Sequence, residues 1–415
     1  MTCTAEIRRP LTVQEIVAES LGRRDFFTEL AERHGSPLYI IEEATLLARA
    51  REFSATFEPF LPGMRTFFPV KANSHPKVLE TMIKAGLGIE VSSGLELEMA
   101  LAAGAPEILF NGPGKRLDEL ELAVQHRDSV TVIMDSWTEL DRLATLAAER
   151  KADIRTAVRL SVDGQGALWR KFGIHPSELA GFAEKAANCR YISLNGLHFH
   201  TSWNMTPAIQ VETLEQLGKT VQQLPALIRQ QIEFIDIGGG FWPPTGEWLP
   251  TPVSDNGDFT AEAPFYRTEP ASPLSRFAED IAQAFRTHIF PHLNCRVYAE
   301  PGRWICGDAA SILLTVIDIK GNDIAITDGG TNMVGWEQFE YEYFPVINLT
   351  APEAEERPFL LLGSLCTPHD LWGRSFFGSD IRCNDLLLIP MQGAYSYSLR
   401  QQFIKPLPET VFVAA

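Results

Sequence analysis

At 415 residues the chain is long for a single domain and implies two, and with 45% hydrophobic and 21% charged residues it has an ordinary globular composition. The formal net charge of −17 argues against nucleic acid and anionic membranes as partners, and the six cysteines (Cys3, Cys189, Cys295, Cys306, Cys366, Cys383) show neither CxxC nor metal-ligand spacing, so neither a disulfide framework nor a metal centre is expected. No run approaches the ~18 apolar residues of a membrane span, and MTCTAEIRRPLTVQEI lacks the apolar core of a signal peptide, so a cytoplasmic protein is expected.

Residues 1–35 precede the first strand and are expected to pack on the second domain. From Pro37 to about Tyr298, short apolar strands alternate with helical patterns. PLYII reads as a strand and EEATLLARAREFSATF as an amphipathic helix. TFFPV, GIEVS, EILFN, SVTVIMD, TAVRLSV, ISLNGLHFH and FIDIGGG follow as strands. Between them lie helices around HPKVLETMIKAG and GLELEMALAAG, from Ser136 to Ala152, from His175 to Ala187, and one ending near Gln230. About eight βα units over roughly 260 residues is the size of a (β/α)8 TIM-type barrel, assigned to residues 36–298. A doubly wound parallel sheet is the alternative. The barrel is favoured because the polar residues singled out below sit mostly at strand C-terminal ends. After Glu300, SILLTVIDIK, DIAITDGG, FLLLGSLC and DLLLIP read as strands with little helix between them. Residues 299–415 are therefore expected to form a C-terminal β domain of Greek-key-like or barrel type. The irregular stretch 241–273 (WPPTGEWLPTPVSDNGDFTAEAPFYRTEPASP) is long enough to be functional or disordered.

Several residues stand out chemically. Lys71, in FFPVKANSHP, directly follows an apolar run. It reads either as a strand-end lysine reaching solvent or as a desolvated amine able to form a Schiff base. Gly238-Gly239-Gly240 ends the strand FIDI and exposes backbone N–H groups as phosphate sites require, or it is a flexible turn. In EPGR, Gly302 and Arg303 suit a phosphate and Glu300 suits a protonated ring nitrogen, unless the group is an ordinary ion pair in a turn. His200 sits at a strand end, and Cys366 (SLCTPHD) and Tyr395 (GAYSYS) lie in the β domain. Taken singly, these three read as structural residues.

In order along the chain, PVKAN, EVSSGLEL, RKFGI, GLHFH, DIGGGF, EPGR, SLC…D and GAYSYS resemble the fold-type III pyridoxal-phosphate enzymes, closest to the diaminopimelate, ornithine and arginine decarboxylases. The resemblance covers nearly the whole chain and implies a (β/α)8 barrel plus a β domain (the alanine racemase-like fold), with pyridoxal 5'-phosphate as cofactor. By resemblance, Lys71 is the Schiff-base lysine and His200 stacks on the cofactor ring. Glu300 keeps the pyridine nitrogen protonated. Gly239, Gly240, Gly302, Arg303 and Tyr395 lie at the phosphate, and Glu90, Arg159 and Glu96 line the site. The resemblance also implies that Cys366 returns a proton to Cα from a partner subunit, in a homodimer with composite sites. Cys366 and EPGR separate this reading from a racemase. An inactive regulatory homologue is disfavoured because Lys71, His200, Glu300 and Cys366 are all present.

Three departures bear on specificity. The family's His-x-Gly-Ser reads His200-Thr201-Ser202-Trp203 here, leaving Ser202 or Thr201 for the phosphate, or Trp203 to reshape the pocket. In GWEQFEYEYF, Glu337 stands where diaminopimelate decarboxylases carry a carboxylate-gripping arginine four residues before Tyr341. Glu342 stands where ornithine decarboxylases carry an amine-binding aspartate. Thr367 stands where both groups carry an acid after the reactive cysteine, while Asp370 remains. These swaps, with Glu337, Tyr341, Glu342 and Asp370 as substrate-facing residues, imply a small-molecule substrate, an amino acid or amino-acid conjugate with an amine-bearing distal end, and a specialised pathway such as siderophore biosynthesis. Diaminopimelate decarboxylation is the alternative.

Overall fold

The computed structural model describes residues 11–251, 264–335 and 338–415, which fall into two compact units. Leu47–Trp242 and Ser272–Trp304 form the first. The second comprises, among the described residues, 11–46, Pro243–Ala271 and Ile305–Ala415.

The first unit is a closed parallel barrel, which excludes the doubly wound alternative. Its strands are β2 (Arg65–Pro69), β3 (Gly88–Val91), β4 (Ile108–Phe110), β5 (Val130–Met134), β6 (Ile154–Arg159), β7 (Ile192–His198), β8 (Phe234–Asp236) and β11 (Arg296–Ala299). β11 closes the ring against β2 and β8. All five residues of β5 are buried, as expected where helices cover one face and the barrel core the other. Phe67, Leu109, Ile133, Ala157, Phe234 and Tyr298 fill the interior. Gly88 and Gly196 make room for them: a Cβ would come within 2.3 Å of the Phe67 ring and 2.2 Å of the Phe234 ring. The outer helices follow local rules. In Trp137–Arg150, Ser136 caps the first turn by accepting from Glu139 N–H, and Leu140, Leu143, Leu146 and Ala147 share the buried face.

The second unit is a mixed sheet. Its strands are β1 (Leu38–Glu42), β12 (Ala310–Lys320), β13 (Ile324–Thr327), β14 (Ile347–Asn348), β15 (Glu356–Leu362), β16 (Leu371–Phe377), β17 (Leu386–Ile389) and β18 (Glu409–Val413). Because β13 also pairs with β12, six of these strands close on themselves. Helices Val13–Gly22 and Arg24–His34 contribute Val13, Val17 and Phe27 to a core shared with Leu38, Leu313 and Leu388.

Two strands differ from the sequence reading. PLYII was expected to open the barrel, yet β1 pairs antiparallel with β12 and parallel with β18. Residues Leu38–Ile41 are all buried, and a run buried on both faces carries no signal of which sheet it joins. RVYA, just before EPGR, supplies the eighth barrel strand instead. The stretch 241–273 is not wholly irregular: β9 (Glu247–Pro250) and β10 (Tyr266–Glu269) form an antiparallel hairpin in the second unit. Among the described residues no helix is long and apolar enough to cross a membrane.

Candidate active site

Each barrel strand delivers a polar residue at or just beyond its C-terminal end, the face where such barrels carry their chemistry. Lys71 lies in the 3-10 turn Val70–Ala72 after β2, and its Nζ is 2.5 Å from Glu90 Oε2 on β3. Asn111 follows β4 and Asp135 follows β5, while Arg159 ends β6 and His198 ends β7, with His200 two residues on. Asp236 ends β8, and Glu300 follows β11. Glu90, His198, Asp236 and Glu300 are fully or almost fully buried, as is the Arg159 guanidinium, which lies 4.3 Å over the Phe172 ring. Ser92 donates its hydroxyl to Glu90 Oε1 and its N–H to Glu96 Oε2.

The electrostatics divide the carboxylates. Burial pushes Glu90 up to about 7 against the pull of Lys71, with Glu300 and Glu96 adding to the rise. Burial, and next the charge of Glu300, push Asp236 well above the usual carboxylate range. Burial opposes the charge on Glu300 too, but His198, His200 and Lys71 face it and hold it well below the usual range. Burial lowers His198 to about 4 and lowers His200 as well, so both imidazoles are neutral at pH 7.

A titration follows for the ligand-free protein. An unfolded glutamate loses its proton near ~4.3. Folded Glu90 keeps its proton to about 7. The stability tied to that proton is therefore complete below the unfolded value and is lost as pH rises through the folded one. Glu90→Gln removes this loss, so its Tm relative to wild type is expected to rise between about pH 5 and about pH 8. Paired thermal scans measure this, and a difference that stays flat across the range contradicts it.

Glu300 is also the sharpest pointer to a ligand. Neither of its oxygens has a hydrogen-bond partner, although His198 Nε2 stands 3.3 Å and His200 Nδ1 3.6 Å away. Gly239 N–H already donates to His200 Nδ1, at 3.1 Å. A buried polar group without a donor costs roughly 1–3 kcal/mol, more when charged, so this carboxylate is built for a cation that arrives with a ligand.

A glycine cradle lies beside it. Gly238 (φ 64°) and Gly240 (φ 79°) have left-handed backbones. A Cβ on Gly239 would sit 2.4 Å from Glu300 O, and one on Gly240 2.3 Å from Thr201 O. Of the two hydroxyls left open by the sequence, Thr201 is buried and accepts from Asn204 Nδ2 at 2.8 Å, whereas Ser202 is half-buried beside Gly240. Trp203 is exposed with φ 53° and stacks on Trp242, 6.1 Å between centroids. The Arg303 guanidinium covers the Trp242 ring at 4.4 Å. Gly302 packs so closely that a Cβ would meet Pro69 and Ala72 at 2.7 Å.

The remaining expected residues lie in the second unit. Tyr395 has φ 66°, next to a Gly393 whose Cβ would collide with Cys306 O. Tyr39, buried beneath, donates its hydroxyl to Gln392 O. Cys366 is exposed in the loop between β15 and β16. Tyr341 is exposed at the end of the helix Gln338–Tyr341, with Glu342 half-buried after it. Glu337 lies outside the described residues. Asp370, expected to face substrate, departs from expectation: it is 1% exposed, and its carboxylate accepts three hydrogen bonds from its own surroundings.

Sequence reasoning missed Asn111, Asp135, His198, Asp236 and Trp169, whose ring lies parallel to that of His200 (interplanar angle 15°). The acid inside the apolar run FIDI and the first histidine of HFH were readable signals, since a buried strand does not carry a titratable group without a partner.

Comparison with known proteins agrees with this geometry. The family model for the pyridoxal binding domain of pyridoxal-dependent decarboxylases matches residues 44–307, more than half the chain. An L-glutamyl-[BtrI acyl-carrier protein] decarboxylase from Niallia circulans is 26% identical, covering 89% of this chain and 86% of the relative. A diaminopimelate decarboxylase from Methanothermobacter thermautotrophicus is 28% identical, covering 93% and 88%. In fold, the chain is similar to diaminopimelate decarboxylase from M. jannaschii in complex with L-lysine (TM-score 0.79, 21% identity, 93% and 89% covered). It is also similar to a lysine/ornithine decarboxylase from Vibrio vulnificus in complex with putrescine (TM-score 0.75, 21% identity, 94% and 98% covered). Both the unfilled Glu300 carboxylate and the glycine cradle fit pyridoxal phosphate, and the chain belongs to the fold-type III pyridoxal-dependent decarboxylases, carboxy-lyases that act on amino acids.

Proposed function

We propose that this enzyme decarboxylates an amino acid or amino-acid conjugate whose distal end carries an amine, within a specialised cytoplasmic pathway of the siderophore type, as a homodimer with composite sites. Glu342 carries the reading: a half-buried carboxylate follows Tyr341 at the expected distal end of the substrate. The relative named for a glutamyl group on an acyl-carrier protein supports a conjugate as substrate.

Pyridoxal phosphate, when bound, supplies the electron sink that accepts the pair left behind as CO2 departs. The chain's own residues do the rest. Lys71 Nζ would hold the cofactor, and Glu90, protonated to about 7, lies beside it where it could exchange the amine's proton. Glu300, ionised throughout the physiological range, holds the ring-nitrogen proton in place. His200, kept neutral by burial, covers the ring without adding charge. Ser202, Gly239, Gly240, Gly302, Arg303 and Tyr395 take the phosphate, with Arg303 held flat by Trp242. Arg159 lines the site, and Cys366 returns a proton to Cα.

Specificity gives the test. A substrate ending in an amine is expected to exceed meso-diaminopimelate in kcat/KM by about two orders of magnitude, because mismatched charge in a partly desolvated pocket costs several kcal/mol. Glu342→Gln should raise KM for the preferred substrate about tenfold with little change in kcat, since a distal contact holds ground and transition states alike. A CO2-release screen over diamino acids, diaminopimelate and carrier-linked or citrate-linked amino acids measures both. Diaminopimelate as best substrate would establish the alternative reading, which its many curated relatives favour.

A further inference from the structure

We propose that Asp370 is a positioning residue that clamps the loop bearing Cys366 to the turn at Gly330–Met333, and so sets where the Cys366 thiol stands when it delivers its proton. The proposal rests on the reading of Cys366 as the proton donor.

Three donors from two separate segments converge on one buried carboxylate. Asp370 Oδ2 accepts from Leu365 N–H at 2.6 Å, and Leu365 is the residue immediately before Cys366. Asp370 Oδ1 accepts from Thr331 N–H at 2.7 Å and from Thr331 Oγ1 at 3.1 Å. Gly363 N–H closes the loop on Asp370 O at 2.8 Å. Two glycines leave the room: a Cβ would lie 2.3 Å from the Asp370 carboxylate at Gly363 and 2.9 Å at Gly330. The same loop is tied down at Ser364, whose hydroxyl donates to Asp328 O at 2.9 Å, and the start of β16 just beyond it at Trp372, whose Nε1–H donates to Gly329 O at 3.1 Å.

An ionised carboxylate only accepts, and all the groups facing this one are donors. A carboxylate meant for a substrate amine needs lone pairs open to a ligand, and this one is 1% exposed. The turn it holds leads after a few residues to Gln338–Tyr341 and Glu342. One carboxylate thus joins the segment that protonates to the segment proposed to read the distal end of the substrate.

Asp370→Asn is the sharp test because the amide is isosteric yet has only one oxygen. Its NH2 must face either Leu365 N–H or the Thr331 donors. In the holoenzyme, the rate of iodoacetamide alkylation at Cys366, read by peptide mass mapping, is expected to rise about fivefold, while kcat falls about tenfold and KM and cofactor affinity hold. Cys383, also exposed, is the internal standard and should not change. Gly363→Ala, which drives a methyl into the carboxylate, should reproduce the effect. Thr331→Ala, which removes one donor and leaves the carboxylate in place, should give a smaller rise, and Thr331→Ser should match wild type. Unchanged Cys366 alkylation in Asp370→Asn and Thr331→Ala would overturn the clamp. A rise in KM with kcat intact would also overturn it, by making Asp370 a substrate ligand. Full kcat in Cys366→Ala would instead remove the proton-donor reading, while the alkylation rates still decide the clamp.

Discussion

Lys71→Ala is expected to lower kcat/KM by about three orders of magnitude or more, the combined scale of losing a covalent attachment and a proton carrier. The expectation comes from placement. Lys71 stands in a turn that fixes the end of β2, and its Nζ lies 2.5 Å from the buried acid Glu90. A lysine serving solubility would point away from the barrel mouth. The variant should also change its titration: the Lys71 ammonium pulls the Glu90 carboxyl down against burial, so without it Glu90 stays protonated to higher pH. Steady-state kinetics on the reconstituted variant measure the first effect. A loss of less than tenfold would contradict the role.

Glu300→Gln is expected to lower kcat by about two orders of magnitude, the usual scale for removing a preorganised charge from a buried site. The amide keeps the size of the side chain and loses the negative charge that faces His198, His200 and Lys71. Cofactor affinity should change much less, because the glycine cradle and Arg303 are untouched. The pH profile is a second readout. With Glu300 held well below the usual range and both histidines neutral by burial, no limb between pH about 6 and about 9 should belong to Glu300. A wild-type acid limb in that window that vanishes in Glu300→Gln would contradict this assignment of charge.

Much of this architecture was legible because parallel strands buried on both faces read as continuous apolar runs, and the functional groups interrupt those runs at their ends. Lys71, His200 and Glu300 stand out in this way, whereas Glu90 and Arg159 come only from the family resemblance, and the structure brings all five to one end of the barrel. What escaped depends on pairing at long range. Leu38–Ile41 has the same texture whether it enters a barrel or the second sheet. The hairpin Glu247–Pro250 with Tyr266–Glu269 was hidden because a strand partner across such an insertion leaves no local pattern. Asp370 was misread for a related reason. An acid four residues after a cysteine looks like a ligand, and nothing local reveals that Thr331 N–H has already claimed its oxygen.

Lys71 is the residue proposed to bind pyridoxal phosphate. Borohydride reduction of the holoenzyme, followed by proteolysis and mass mapping, tests this directly. A pyridoxyl group is expected on the peptide containing Lys71 and nowhere after Lys71→Ala. A pyridoxyl group on any other lysine, Lys115 of the barrel included, would contradict it.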